Sequence, residues 1–127
     1  MNDYKSILIV DDSSTSRMIV QRCLEMAGYA DSRFMYAENG LDALAALRKA
    51  PGAVDLIVTD LNMPKMDGAT FVRLVKKDPA TSAITVLIVS SIADGEAEKE
   101  LSGQGALAVI KKPVSPAKLV AALGGSL

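Results

Sequence analysis

The sequence contains no histidine and a single cysteine, Cys23, among its 127 residues. Without histidine, the chain itself cannot supply an imidazole general base, a histidine metal ligand or a phosphohistidine intermediate. One cysteine cannot form an internal disulfide, which favours a cytoplasmic location. The chemistry of this chain must therefore rest on carboxylates, hydroxyls and lysines.

Aromatic residues and excess charge are also scarce. Aromatic residues make up 4% of the chain, and 14 basic residues are balanced by 15 acidic ones, for a net charge of -1. No excess of Lys and Arg is available to neutralise phosphates, so we expect no direct nucleic-acid binding. No apolar run approaches the length of a membrane span, and the N-terminus does not resemble a signal peptide. We expect one globular domain over residues 1–127, with its core between about residues 5 and 123.

Five apolar runs alternate along the chain with five segments of helical spacing. The runs typical of strands are Ser6–Val10, Phe34–Ala37, Leu56–Val58, Ile84–Val89 and Ala106–Ile110. The helical segments begin after Ser13 and close at Gly28, then cover Leu41–Leu47, Phe71 to about Asp78, Asp94–Leu101 and Pro116–Leu123. This alternation predicts an α/β fold, in which helices cover both faces of a parallel sheet. Burial on both faces explains why the strands are continuous apolar runs.

Polar side chains follow four of the predicted strands, at the point where each strand ends. They are Asp11 and Asp12 after the first strand, Asp60 after the third, Ser90 after the fourth and Lys112 after the fifth. Each has an ordinary explanation when taken alone: a helix cap, a turn residue or a solvated surface charge. The carboxyl ends of parallel strands meet at one edge of a sheet, where α/β proteins place their sites. We therefore expect these five side chains to converge.

Three neighbouring carboxylates repel one another unless a cation enters. A hard divalent cation with oxygen ligands fits this set, and Mg²⁺ leaves room for the oxygens of a phosphate group. With the metal bound, Asp60 can act as a nucleophile toward phosphorus. Lys112 and the Ser90 hydroxyl would then contact the phosphoryl oxygens.

The same residues lie in motifs that resemble the receiver domain of two-component response regulators, and the chain is most similar to the single-domain chemotaxis type. The motifs are Ile9–Ser13 with Arg17, Ala37–Gly40, Thr59–Pro64 with Met66–Gly68, Val89–Ser91 and Lys111–Pro113. The resemblance covers about Lys5 to Leu123. It implies a flavodoxin-like (βα)5 three-layer sandwich with strand order 2-1-3-4-5.

The resemblance also implies roles for individual residues. Asp60 would be the phosphoacceptor, with Ser90 as the switch hydroxyl and Lys112 as the active-site lysine. The implied Mg²⁺ ligands, with Mn²⁺ as an alternative metal, are Asp11, Asp12, Asp60 and the backbone carbonyl of Asn62.

The resemblance implies a phosphorylation-activated switch protein and not an enzyme beyond its own phosphorylation and dephosphorylation. The phosphoryl donor would be a sensor histidine kinase or a histidine phosphotransfer protein, and the output would be binding to a downstream protein. Phosphorylation would pull Ser90 and the following loop toward the site and change the face made by the fourth helix, the fifth strand and the fifth helix. The family often has Tyr or Phe where this chain has Val109, so the usual aromatic rotamer switch cannot operate here.

Three other functions compete with this interpretation. A metal-dependent phosphohydrolase of the haloacid-dehalogenase type would need a second aspartate where this chain has Asn62. A flavodoxin-like electron carrier is a further alternative, and the chain could also be the receiver part of a longer regulator. Within the leading hypothesis, we predict that Ile92 slows attack of water on phosphorylated Asp60. We also expect Met18, Cys23 and Met26 to lie in the core.

Overall fold

The computed structural model of the protein describes residues 4–91 and 95–124, apart from the side chain of Ala97. Its parallel strands form one five-stranded sheet of order β2-β1-β3-β4-β5. The strands are β1 (Ser6–Val10), β2 (Arg33–Ala37), β3 (Leu56–Thr59), β4 (Thr85–Ser90) and β5 (Ala108–Lys111). The expected α/β class, the flavodoxin-like architecture and the strand order 2-1-3-4-5 are confirmed.

Five α-helices connect and cover the strands: α1 (Ser14–Leu24), α2 (Gly40–Lys49), α3 (Gly68–Lys77), α4 (Gly95–Gly103) and α5 (Pro116–Leu123). Four of them begin at a side chain that accepts a hydrogen bond from the backbone N–H three residues later; these N-caps are Ser13, Asn39, Asp67 and Ser115. Such caps satisfy N–H groups that have no partner within the helix. Within the described ranges, no helix combines the length and the apolar character needed to cross a membrane.

Alternate residues of each central strand point to opposite faces of the sheet, and each face carries its own core. On one face, Leu8, Val10, Ile57, Val86 and Ile88 pack with the buried sides of α2, α3 and α4. On the other face, Ile7, Ile9, Leu56, Val58, Leu87 and Val89 pack with α1 and α5. The two cores hold the central strands rigidly, so the strand ends provide fixed positions for polar side chains.

The predicted boundaries of the first helix and the fifth strand were wrong for reasons that the structure shows. The first helix does not continue regularly to Gly28: α1 ends at Leu24 and a wider π-helical turn, Glu25–Tyr29, follows, in which Gly28 has φ 114°. The fifth strand does not begin at Ala106, because the N–H of Ala106 donates to the carbonyl of Leu101 and closes the end of α4. The register with β4 begins at Ala108, which pairs with Leu87, although the N–H of Leu107 already donates to the carbonyl of Val86 at 2.8 Å.

The expectation that the α1 methionine belongs to the core was also wrong. Met18 is 59% exposed, and Met26 in the following π-helical turn is 72% exposed. Cys23 is half-buried, and burial raises the pKa of its thiol. The buried face of this segment is instead carried by Val20 and Leu24, so the apolar stripe is narrower than the sequence spacing indicates.

Candidate functional site

The carboxyl ends of β1 and β3 lie side by side, and each is followed by an aspartate. The register pairs Val10 with Thr59, and the N–H of Asp60 donates to the carbonyl of Val10 at 2.9 Å. The N–H of Asp11 donates to the carbonyl of Ala37 at 3.1 Å. Sheet hydrogen bonds thus continue one residue beyond each strand and fix the backbone of both aspartates.

Asp11, Asp12 and Asp60 form a compact carboxylate cluster. One oxygen from each residue can be chosen so that all lie within 4.8 Å of one another. Asp11 is 4% exposed and Asp60 is 9% exposed, whereas Asp12 lies open to solvent. The predicted convergence of the three acids at this edge of the sheet is therefore present in the structure.

Lys112 supplies the opposite charge from the end of β5. Its Nζ atom lies 3.4 Å from Asp60 Oδ2 and 3.5 Å from Asp11 Oδ2. The N–H of Lys112 donates to the carbonyl of Ser90 at 2.8 Å, which continues the pairing of β4 and β5, and the Lys112–Pro113 peptide is cis. The ammonium is thus shared by two carboxylates.

The carboxylate of Asp60 has two different environments. Oδ1 accepts a hydrogen bond from the N–H of Leu61 at 2.8 Å, while Oδ2 faces Lys112. The hydroxyl of the fully buried Thr59 donates to the carbonyl of Asp60 at 2.9 Å. These contacts hold the carboxylate and the backbone of Asp60, and 11% of the surface of its side chain remains exposed.

Asp11 is held by the first turn of α1. Oδ1 accepts from the N–H of Ser13 at 3.0 Å, and Oδ2 accepts from the hydroxyl of Ser16 at 2.6 Å. The guanidinium Nη1 of Arg17 donates to the carbonyl of Asp11 at 2.6 Å. Arg17 lies in a motif of the family resemblance, whereas Ser16 was not among the predicted site residues. The signal that could have found Ser16 is a hydroxyl placed one helical turn after an aspartate pair.

Three further residues were predicted to act at the site: Ser90, Asn62 and Ile92. Ser90 is the last residue of β4 and is fully buried, so it lies at the predicted strand end. Asn62 is exposed two residues after Asp60. The contact of the Ser90 hydroxyl with a phosphoryl group and the metal-ligand role of Asn62 stay predictions. Ile92, for which a role in phosphoryl lifetime was predicted, lies outside the described residues.

The donor set at this edge fits a hard divalent cation. All three side chains offer carboxylate oxygens, the ligands that Mg²⁺ prefers, and the exposure of Asp12 leaves room for water ligands. Neither soft ligands nor imidazole are present in the cluster, which argues against zinc or copper. Asp11, Asp12 and Asp60 are therefore the residues that could hold a magnesium ion.

An apolar groove of about 510 Å³ opens beside Lys112. It lies between α1 and the segment that follows β5, and is lined by Ser13, Thr15, Ser16, Ile19, Val20, Lys112, Pro113 and Val114. Ile19 is 50% exposed at its outer side. The groove therefore exposes one side of Lys112 at the surface.

The chain is similar in sequence to a known protein family and to known proteins. A family described as "Response regulator receiver domain" matches residues 7–124. Chemotaxis protein CheY-3 of Vibrio cholerae serotype O1 is 36% identical over 119 residues, which cover 94% of this chain and 88% of that protein.

Two solved structures are similar as well. Chemotaxis response regulator CheY4 of Vibrio cholerae has a TM-score of 0.80 at 32% identity, over 96% of this chain and 98% of that one. The CheX-CheY-BeF3-Mg+2 complex from Borrelia burgdorferi has a TM-score of 0.83 at 24% identity, over 94% of this chain and 86% of that one. The second similarity supports the fold alone.

Proposed function

The chain belongs to the family of response regulator receiver domains, and from this premise we propose that it is a phosphorylation-activated switch whose phosphoacceptor is Asp60. CheY-like receiver domains are signalling proteins and not classical enzymes. In this proposal residues 1–127 act as one receiver domain. The switch promotes only its own phosphorylation and dephosphorylation.

One observation carries the proposal: Lys112 Nζ lies 3.4 Å from Asp60 Oδ2, in a site where three carboxylates can also bind a divalent cation. Phosphoryl transfer depends mostly on positioning and on electrostatic stabilisation of the phosphoryl oxygens. A fixed carboxylate beside a fixed ammonium supplies both. The same site without the lysine would be suited to metal binding only.

The proposed reaction is transfer of a phosphoryl group from a phosphohistidine of another protein. A carboxylate oxygen of Asp60 forms a bond to phosphorus, the phosphorus–nitrogen bond of the donor breaks, and the imidazole leaves with the electron pair. When bound, Mg²⁺ neutralises charge on the phosphoryl oxygens. Lys112 donates to one of these oxygens, and Ser90 is proposed to donate to another once the segment after β4 moves.

The proposed partners are proteins. The donor is a sensor histidine kinase or a histidine phosphotransfer protein, which would reach Asp60 along the groove lined by Ile19 and Pro113. The output is binding to a downstream protein; in the Borrelia burgdorferi complex, CheY is joined to CheX with BeF3 and Mg²⁺.

Val109 places a constraint on the proposed switch. It lies half-buried on β5 and packs against the core on the α2–α4 side of the sheet. A valine has no ring that could move between a buried and an exposed rotamer. We propose that the phosphorylation signal leaves the site through Ser90 and the position of α4 instead.

Phosphorylation by a small acyl phosphate tests the proposed acceptor. Wild-type protein and Asp60→Asn are incubated with Mg²⁺ and acetyl phosphate, and intact mass spectrometry measures the phosphorylated fraction. Asp31→Asn serves as the control, because Asp31 is an exposed acid before β2, far along the chain from the cluster. We expect labelling of wild type and of the control only. Equal labelling of Asp60→Asn would show that Asp60 is not the acceptor.

A further inference from the structure

Ser16 connects the two charged groups that face Asp60. Its hydroxyl donates to Asp11 Oδ2 at 2.6 Å and accepts from Lys112 Nζ at 3.4 Å. A serine inside a helix ordinarily bonds a backbone carbonyl one turn earlier. Here the half-buried Ser16 hydroxyl instead contacts the side chains of Asp11 and Lys112, which directly follow β1 and β5.

With Ser16 included, the hydrogen-bonding capacity of Lys112 is filled. An ammonium has three N–H donors, and Nζ has three acceptors within 3.5 Å: Asp11 Oδ2, Asp60 Oδ2 and Ser16 Oγ. The two carboxylates directly follow the neighbouring strands β1 and β3, so alone they leave the ammonium free to rotate about the line between them. The hydroxyl, from α1, is the third point that defines its position.

We propose that Ser16 is a positioning residue that holds the Lys112 ammonium beside Asp60. The inference rests on the proposed function, because a fixed ammonium matters only if a group with negatively charged oxygens arrives there. In this role Ser16 acts through its contacts with Lys112 and Asp11.

The two contacts of the hydroxyl have opposite consequences. Its hydrogen bond from Lys112 restrains the ammonium and favours phosphoryl transfer. Its donation to Asp11 Oδ2 occupies a lone pair that a metal ion could otherwise use. Removal of the hydroxyl should therefore slow phosphorylation without weakening the binding of Mg²⁺. Damage to the local fold would weaken both.

The test compares Ser16→Ala with Ser16→Thr, which retains a hydroxyl, and with Ser14→Ala. Ser14 is an exposed serine in the same helical turn, and no hydrogen bond of its side chain is found in the described part of the chain. Three quantities are measured for each: the rate of phosphorylation by acetyl phosphate at saturating Mg²⁺, the Kd of Mg²⁺ alone by calorimetry, and the NMR signals of the Lys112 ε-methylene protons in metal-free protein.

For Ser16→Ala we expect phosphorylation to slow by about three- to tenfold, the factor associated with one net hydrogen bond. The Kd of Mg²⁺ should stay the same or fall. The two ε-methylene protons of Lys112 should be inequivalent in wild type and merge in Ser16→Ala. Ser16→Thr and Ser14→Ala should remain within about twofold of wild type in rate.

Three results would overturn the proposal: wild-type rate and unchanged Lys112 signals in Ser16→Ala, an equally slow Ser16→Thr, or a parallel loss of Mg²⁺ affinity and rate. If wild type itself is not phosphorylated, the proposed function is wrong. The NMR signals of the Lys112 ε-methylene protons in metal-free protein would then still show whether Ser16 fixes the ammonium.

Discussion

Gly68 lies directly against the backbone of Asp60. A Cβ atom built at Gly68 would stand 2.2 Å from the carbonyl oxygen of Asp60 and 2.7 Å from the Cα of Leu61. The N–H of Gly68 also donates to the carbonyl of Leu61 at 2.8 Å. The start of α3 therefore sets the path of the segment that carries the acceptor carboxylate, and only a residue without a side chain fits there.

Replacement of Gly68 by alanine should disturb both stability and chemistry. The contacted atoms belong to the backbone and cannot rotate away, so we expect the free energy of unfolding to fall by about 1–3 kcal/mol, as for other overpacked sites. Displacement of Asp60 should also slow phosphorylation of the remaining folded protein. Urea denaturation and the acetyl phosphate assay measure the two effects.

Gly103→Ala is the matched control. A Cβ at Gly103, the last residue of α4, meets no atom within 4 Å. Alanine should leave stability unchanged or raise it by about 0.4–1 kcal/mol. If Gly68→Ala were as stable and as active as this control, close approach to Asp60 would not constrain the site.

Asp55 stabilises the opposite edge of the sheet. Its two carboxylate oxygens accept hydrogen bonds from the N–H groups of Lys5, at 2.8 Å, and Ser6, at 3.0 Å. We expect Asp55→Ala to lower the free energy of unfolding by about 1–3 kcal/mol, because both bonds are lost. Asp55→Asn retains one acceptor and should lose less. Phosphorylation of either folded variant should match wild type, and a slower rate would show that the two edges of the sheet are coupled.

The fold was predictable because its main determinants are local. Continuous apolar runs such as Leu56–Val58, flanked by turn residues, define strands, and an N-cap residue such as Ser13 defines a helix start. The convergence of Asp11 and Asp60 followed from topology alone, since parallel strands end at one edge. The strand order came from the family resemblance and not from any local pattern.

Features that depend on tertiary packing were not predictable from the sequence. The exposure of Met18 reflects how α1 is rotated against the sheet, and helical spacing does not specify that rotation. The contacts of Ser16 require α1, β1 and β5 to meet. The late start of β5 depends on the hydrogen bond from Ala106 to Leu101, which sequence patterns do not reveal.

Lys112→Met should lower the free energy of unfolding in metal-free buffer. It should also increase the stabilisation that Mg²⁺ provides. Without the ammonium, Asp11 and Asp60 lose their shared countercharge, and we expect a loss of about 1–2 kcal/mol in metal-free buffer, given that Lys112 is partly exposed. Mg²⁺ no longer competes with the ammonium, so it should raise the free energy of unfolding more than in wild type. Thermal denaturation with and without Mg²⁺ measures the difference.

The neighbouring exposed residue provides the control for this experiment. Lys111→Met removes the same charge one residue earlier, on β5, without touching the carboxylate cluster. Mg²⁺ should stabilise Lys111→Met against thermal denaturation as much as it stabilises wild type. Equal stabilisation of Lys112→Met and Lys111→Met by Mg²⁺ would show that Lys112 and the cation do not share the carboxylates.

Asp67 should give α3 a stability that depends on pH. The N–H of Thr70 donates to its carboxylate at 2.8 Å, and this backbone hydrogen bond holds the pKa of Asp67 below its ordinary value of 3.8. Because the folded pKa is the lower one, the stabilisation is complete above the unfolded pKa and is lost as the pH falls through the folded pKa. Asp67→Asn keeps an acceptor but no charge, so wild type should be more stable by about 0.5–1 kcal/mol at neutral pH, a small value because Asp67 is exposed. The difference should vanish at acidic pH below the folded pKa. Denaturation of wild type and Asp67→Asn across this pH range measures the stability difference, with Asp31→Asn as the control. A difference that does not change with pH would show that the charge of Asp67 does not stabilise α3.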